Sequence, residues 1–519
     1  MPALLSLPNE ILDYIVNYIH IDDIEAFSSC CRPIKLVAAV RLQRHLERKF
    51  KYPTIMIVDK REDTIADYMS EDTWSDPVPT YLLRDFLMDE ENTLYPRFMS
   101  IGGSDTTYRG SEEIRSALAT TSIEEHQGLE DKLVAKVMQI QTSLYTEEPI
   151  IEAQDWIDRI KKGNFSATAA LLVTLFPNVK TLSMFNQDQH GTETLLIRTL
   201  EKLTSAAAKS VPGRLGAFSE LSGIELEGPT RRGAAYGQLI AMFMIMPTMR
   251  VVKGRRVHWS AFDWPYGSIT SRVKDVSLDR SEIHSKSLIN CLKRIEALEK
   301  FTYDLVPTRS PSLMIWEPRL IVKALRKHAR RTLVHLELTG EASCLSSGLR
   351  DGEPFIGTLR SFQVLESVRL MTMMLFKQID GEDIDESEKI MEERIDGEAI
   401  DDNDEVKKES ENFGNPNSLM EPRRLTDFLP PSARKLELVG GLSDEEARDM
   451  FTDLPKLKCE RLPNLCEIVL EDSDPLEQET KNLCREAGIR LKSIKRVVNG
   501  YQRIYTITKP APQEDDLEC

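Results

Sequence analysis

Apolar residues recur along most of this chain in one frame, apolar-x-x-apolar-x-apolar, usually preceded by a break and a helical segment. A helix ending in Leu171-Leu172-Val173-Thr174-Leu175-Phe176 runs through Pro177-Asn178 into Val179/Leu182/Met184, and the frame returns at Leu221/Ile224/Leu226, Val273/Val276/Leu278, Leu298/Phe301/Tyr303, Leu333/Leu336/Leu338, Leu365/Val368/Leu370, Ala433/Leu436/Leu438 and Leu465/Ile468/Leu470. Met249/Val252/Gly254 is a poorer copy. The alternation within each frame predicts a short strand with one buried face, and the apolar period between frames predicts helices over 194–209, 236–246, 287–298, 319–331 and 443–451. The last helix is expected over 477–486, with a closing edge at Val497-Val498 and 501–505.

The central positions of successive frames lie 24 to 42 residues apart, except for one interval of 68 between Val368 and Leu436. That interval holds residues 380–411, with 16 Asp or Glu against 4 Lys or Arg and Ile-Asp-Gly-Glu twice, at 379–382 and 395–398; without it the spacing is 36. So acidic and poor in large apolar side chains, residues 379–415 are expected to be a disordered insertion between two repeats, since burial cannot offset their ordering entropy. An EF-hand is excluded because its Asp order and glutamate register are absent. A strand and a helix per repeat cannot bury an apolar face alone, so stacked neighbours are expected to form an α/β solenoid over 166–505, followed by a disordered tail at 506–519. This resembles an irregular leucine-rich-repeat horseshoe with parallel strands inside and helices outside, of the degenerate kind found in F-box proteins, notably fungal ones. The resemblance implies a concave face formed by the residue between the last two apolar positions of each frame: Ser183, Glu225, Lys253, Ser277, Thr302, Glu337, Arg369, Glu437 and Val469.

Residues 1–50 carry a different pattern. Pro8 is suited to a helix start, Glu10 favours the positive end of the helix dipole, and Ile11, Ile15 and Ile19 follow at helical spacing. Asp22 is a candidate cap for a second helix containing Ile24 and Phe27, and Arg32-Pro33 starts a third through Ala39. Three helices in about 40 residues bury too little to stand alone, so this unit is expected to dock on something. Leu7-Pro8-Asn9-Glu10-Ile11-Leu12, Ile15, Ile21-Asp22-Asp23-Ile24, Phe27-Ser28 and Cys31-Arg32 resemble the F-box, although Pro33 follows where a tryptophan is common. That resemblance implies a Skp-type adaptor as partner, reached through Leu7, Pro8, Ile11, Leu12, Ile15, Ile24 and Phe27, and through the adaptor a cullin. Residues 51–165 are expected to form a helical connecting region, with a strand admissible at 52–58 and helices at 81–88, 111–118 and 128–144.

The net charge of −17 has the wrong sign for a general nucleic-acid binder or an anionic membrane surface. The N-terminus lacks a signal-peptide pattern and the longest apolar run, Leu239 to Met246, is far short of the ~20 residues of a membrane span, so a soluble protein is expected. Eight cysteines without a Cys-x-x-Cys pair indicate reduced thiols, in cytosol or nucleus, and no metal site. No nucleophile elbow, phosphate loop or His-Glu-x-x-His is present, so neither catalysis nor a cofactor is expected. Gly102-Gly103-Ser104-Asp105 is taken as a turn, and the aromatics His258-Trp259, Phe262 and Trp264-Pro265-Tyr266 as packing under a loop or an interface anchor. The functional expectation is the substrate-recognition subunit of an SCF-type ubiquitin ligase, holding an unidentified target protein on the repeat face. The alternatives are a non-ligase scaffold made of the same modules, and an enzyme with a site assembled from distant residues.

Overall fold

A computed structural model describes residues 6–58, 79–102, 123–144, 151–185, 194–208, 218–228, 237–259, 264, 266–306, 317–340, 356–378, 420–422, 424–472, 476–499 and 502–506. The protein is α/β and divides into two compact units, Met1–Ile283 with Arg294–Leu298, and His284–Lys293 with Glu299–Cys519.

The first unit opens with helices Asn9–Tyr18, Ile24–Ser29, Arg32–Val37 and Ala39–Lys51. Strands β1 (Thr54–Val58), β2 (Phe98–Gly102), β3 (Thr181–Phe185), β4 (Gly223–Glu227), β5 (Val251–Arg255) and β7 (Asp275–Ile283) then pair in parallel in that order, while the short β6 (His258–Trp259) pairs with the end of β7. Parallel neighbours need long crossovers, and helices supply most of them. The register is uniform: Ile55, Met99, Leu182, Ile224, Val252 and Val276 lie side by side, as do Ile57, Ile101, Met184, Leu226, Gly254 and Leu278. All are buried, as are the residues three before the first row, Tyr52, Pro96, Val179, Leu221, Met249 and Val273. Each fully buried Leu, Ile or Val contributes about 2 kcal/mol, and a slip by one residue would turn the whole row outward, which holds the register.

This overturns part of the expected division of the chain. Residues 51–165 are not only a helical connector, because β1 and β2 are the first two strands of the sheet that continues through β3. Their frames, Tyr52/Ile55/Ile57 and Pro96/Met99/Ile101, match the later ones, with tyrosine and proline in the first apolar place. Helices Pro79–Met88 and Ile123–Leu144 are present; the helix expected at 111–118 lies outside the described residues. The poorer copy at Val252 is a full member, β5, because Gly254 is where Val257 and Leu278 come closest: a Cβ there would lie 2.7 Å from the Val257 side chain. Helix Phe165–Leu175 is buried on every side, apolar or small all round as such a helix must be. Asn164 caps it by accepting from the Ala167 N–H at 2.8 Å, and the Trp156 indole donates to the Ala167 carbonyl at 3.0 Å.

In the second unit β8 (Lys300–Leu305), β9 (His335–Gly340), β10 (Ser367–Met371), β13 (Lys435–Val439), β14 (Glu467–Glu471) and the start of β15 (Arg490–Asn499) are parallel, and the end of β15 turns antiparallel against β16 (Gln502–Thr506). Phe301, Leu336, Val368, Leu436 and Ile468 form one buried row and Tyr303, Leu338, Leu370, Leu438 and Leu470 another. Helices Ser285–Leu292, Pro318–Ala329, Asp444–Phe451 and Gln478–Glu486 stand where helices were expected, although the first stops at Leu292 and not at 298; Leu425–Phe428 and Leu454–Arg461 were not foreseen. Ser443 and Glu446 close a capping box on the third of these helices. The acidic stretch lies outside the described residues, but β11 (Phe376–Gln378) and β12 (Met420–Pro422), which bracket it, pair antiparallel, so the chain leaves and re-enters the fold at neighbouring points.

Candidate binding surfaces

Two kinds of surface follow from this architecture: the N-terminal helices and the polar strand faces. In helix Asn9–Tyr18, Leu12 and Val16 point inward and Ile11, Tyr14 and Tyr18 outward. Pro8 precedes the helix, and its carbonyl accepts from the Ile11 and Leu12 N–H groups at 3.0 and 3.1 Å. Of the residues expected to meet a partner, Pro8 is exposed, Ile11 is 46% exposed, and Leu7, Ile15 and Phe27 are half-buried. Leu12 and Ile24 are corrections: both are buried in the packing of the helices and offer no outward surface. The cause is helical geometry, since Leu12 lies about 100° round the helix from Ile11. What the residue pattern left unread is the Tyr14–Tyr18 pair, exposed with ring centroids 4.6 Å apart, which continues the Ile11 stripe at i, i+3, i+7.

These helices are fixed to the rest of the unit by polar contacts. Buried His45 has Nε2 3.0 Å from Glu25 and Nδ1 3.2 Å from the Tyr95 hydroxyl; Arg48 pairs with Asp89 and Glu91, and the Tyr52 hydroxyl donates to Asp85 at 3.1 Å. Asp22 does not cap the second helix, which starts after Asp23; it pairs with Arg97 instead, whose Nη1 donates to the Asn178 carbonyl at 3.2 Å. Lys49 and then His45, hydrogen-bonded to Glu25, hold its carboxyl below the usual range.

On the strand faces the candidate residues come into lateral register. Ser183, Glu225, Lys253 and Ser277 lie side by side in the first unit, with Ser100 of β2 as a further member. Thr302, Glu337, Arg369, Glu437 and Val469 do so in the second, with Lys492 of β15 joining them. Most charges here are answered by neighbours. Lys253 lies 2.6 Å from Glu225, and Arg255 3.4 Å from Glu227 and 3.3 Å from Asp279. In the second unit Arg369 faces three carboxylates: Glu337 at 3.4 Å, Glu437 at 3.5 Å and Glu471 at 2.9 Å. Burial works to raise the Glu337 carboxyl, but His335 and Arg369 outweigh it and hold it low. Glu467 is held low by the Lys492 hydrogen bond, with Lys435 and Arg490 adding to it. Val469 is buried among these groups, so it adds no polar contact.

Gly102, expected in a turn, is the last residue of β2, and the Phe185 ring lies over it. Trp259 is buried in β6, and Trp264 stacks edge-on against Tyr266 at 6.0 Å; Phe262 and Pro265 lie outside the described residues. Among the described residues no grouping of His, Cys, Asp or Glu could hold a metal ion, and no helix is long and apolar enough to cross a membrane. No protein-family model matches the chain, and no curated protein matches it at a significant level.

Proposed function

We propose that this chain is the substrate-recognition subunit of an SCF-type ubiquitin ligase, acting inside the cell, in cytosol or nucleus. The N-terminal helices dock on a Skp-type adaptor through Leu7, Pro8, Ile11 and Ile15, with Phe27 at the edge, and the leucine-rich-repeat-like strand faces hold a target protein. The observation that carries the reading is the stripe on helix Asn9–Tyr18: Ile11, Tyr14 and Tyr18 remain outward although the helix is anchored to a folded unit. A surface of that size on a fixed helix is the form a helix-packing partner uses. The work done is proximity: a rigid support raises the effective concentration of target lysines near the conjugating enzyme, and no bond chemistry falls to this chain.

The test is co-purification with a Skp-type adaptor. Wild type is expected to bind, and Leu7→Asp with Ile11→Asp to lose binding while its melting temperature is kept. No binding by wild type, or equal binding by both, removes the ligase assignment and leaves a scaffold without a ligase.

A further inference from the structure

Helix Ala39–Lys51 is built inside out. Its inward residues are polar and matched: Arg41 donates to the Val16 and Ile19 carbonyls at 2.5 and 3.1 Å, His45 meets Glu25 and Tyr95, and Arg48 meets Asp89 and Glu91. Its outward side carries Val40, Leu46 and Phe50 among the polar Gln43, Arg44, Glu47, Lys49 and Lys51. Phe50 is 91% exposed, Val40 is 65% exposed, Leu46 is exposed, and one turn earlier across Ala38 Leu36 is 70% exposed. An amphipathic helix that only covered a core would turn the other way. Because each inward polar group has a specific partner, the orientation is locked, and the exposure of Val40, Leu46 and Phe50, with the hydrogen-bonded Gln43 and Glu47 among them, is its consequence.

Charge says what fits there. Residues 6–31 carry five carboxylates and no Lys or Arg, whereas residues 32–51 carry seven Lys or Arg and the single acid Glu47. Lys49 and Lys51 have acidic neighbours, Glu25 and Asp85. Lys35, beside Leu36, and Arg44, one turn beyond Val40, are exposed and pair with no carboxylate among the described residues. We propose that Leu36, Val40, Leu46 and Phe50, flanked by Lys35 and Arg44, form a docking face for an acidic amphipathic helix of a partner protein. Phe50 is nine residues from Arg41, half a turn round the helix at about 100° per residue, so this face points away from the end of helix Asn9–Tyr18 that Arg41 grips. It is therefore a second surface and does not rest on the adaptor reading. An anionic bilayer is the less suitable occupant because the same module bears the acidic residues 6–31 and the chain as a whole is −17.

The experiment uses the full chain and a fluorescein-labelled helical peptide of about 18 residues, leucine on one face and glutamate elsewhere, with a lysine-for-glutamate counterpart. Wild type is expected to bind the acidic peptide and not the basic one. Leu46→Gln with Phe50→Gln, and separately Lys35→Glu with Arg44→Glu, are each expected to weaken binding roughly tenfold with an unchanged or raised melting temperature. Leu7→Asp with Ile11→Asp leaves peptide binding intact. The proposal is overturned if wild type ignores the acidic peptide, if it takes both peptides equally, or if the variants bind like wild type. It is also overturned if the same residues bind phosphatidylserine vesicles in place of the peptide, or if wild type forms a dimer that Phe50→Gln dissociates.

Discussion

Arg369 is the residue whose removal tests the strand-face electrostatics most directly. Its side chain is 16% exposed and lies within 3.5 Å of Glu337, Glu437 and Glu471, with Nη2 at 3.1 and 2.9 Å from the two oxygens of Glu471, itself 3% exposed. At an effective dielectric of about 20 each such contact is worth about 4 kcal/mol gross, most of it offset by desolvation of the ions. Deleting one partner forfeits the attraction while the carboxylates stay desolvated, a loss of about 3 to 5 kcal/mol when fully buried; the residual exposure of Arg369 places Arg369→Met at about 3 kcal/mol. Arg369→Met with Glu471→Gln should recover at least about half, since the most buried charge is then gone. The variant's pH dependence has a definite sign. Without Arg369 the carboxylates it faced hold their protons more readily, so the variant's folded state binds more protons than the wild type's and its stability deficit narrows as pH falls. Urea unfolding of the three proteins at neutral and mildly acidic pH is the assay. A loss below about 1 kcal/mol, no recovery in the double variant, or a deficit against wild type that does not narrow on acidification would refute the argument.

Three further outcomes follow. Gly102→Ala should destabilise by about 1 kcal/mol, because its Cβ would run into the far edge of the Phe185 ring, which must swing aside, and Phe185→Leu in the same chain should relieve most of that loss in a thermal melt. Wild type should lose stability as pH falls below the ordinary glutamate value of about 4.3, because Glu337 and Glu467 titrate lower when folded; their contribution is present above the unfolded value and disappears as pH drops through the folded one, and urea midpoints from pH 6 to 3 measure it. Alkylation mapped by mass spectrometry should mark Cys30 and Cys459 in the native protein, but Cys291 and Cys484, whose thiols burial pushes up to about 12, only after unfolding.

The strand frames were legible because a strand with one face in the core must alternate, and because parallel packing without slippage lines up equivalent positions of successive frames. The same logic brought Ser183, Glu225, Lys253 and Ser277 together in one unit and Thr302, Glu337, Arg369 and Glu437 in the other. It missed β2 and did not join the strand expected at 52–58, β1, to the repeating sheet, because tyrosine and proline fill the first apolar place and long intervening segments hide the period. Helical spacing likewise made the Ile11 and Ile15 stripe visible, yet it could not assign faces: Leu12 and Ile24 are as apolar as Ile11, and only their packing against other helices puts them inside.

Periodicity, a property of neighbouring residues, therefore determined most of the strands and helices and how the strands register. The direction each helix turns was decided by tertiary structure alone, most plainly in Ala39–Lys51, where Arg41, His45 and Arg48 find partners up to 50 residues away and Phe50 is left outside. Burial of a charged or polar group depends on whether a matching group stands opposite, and that is a fact about distant chain meeting in space.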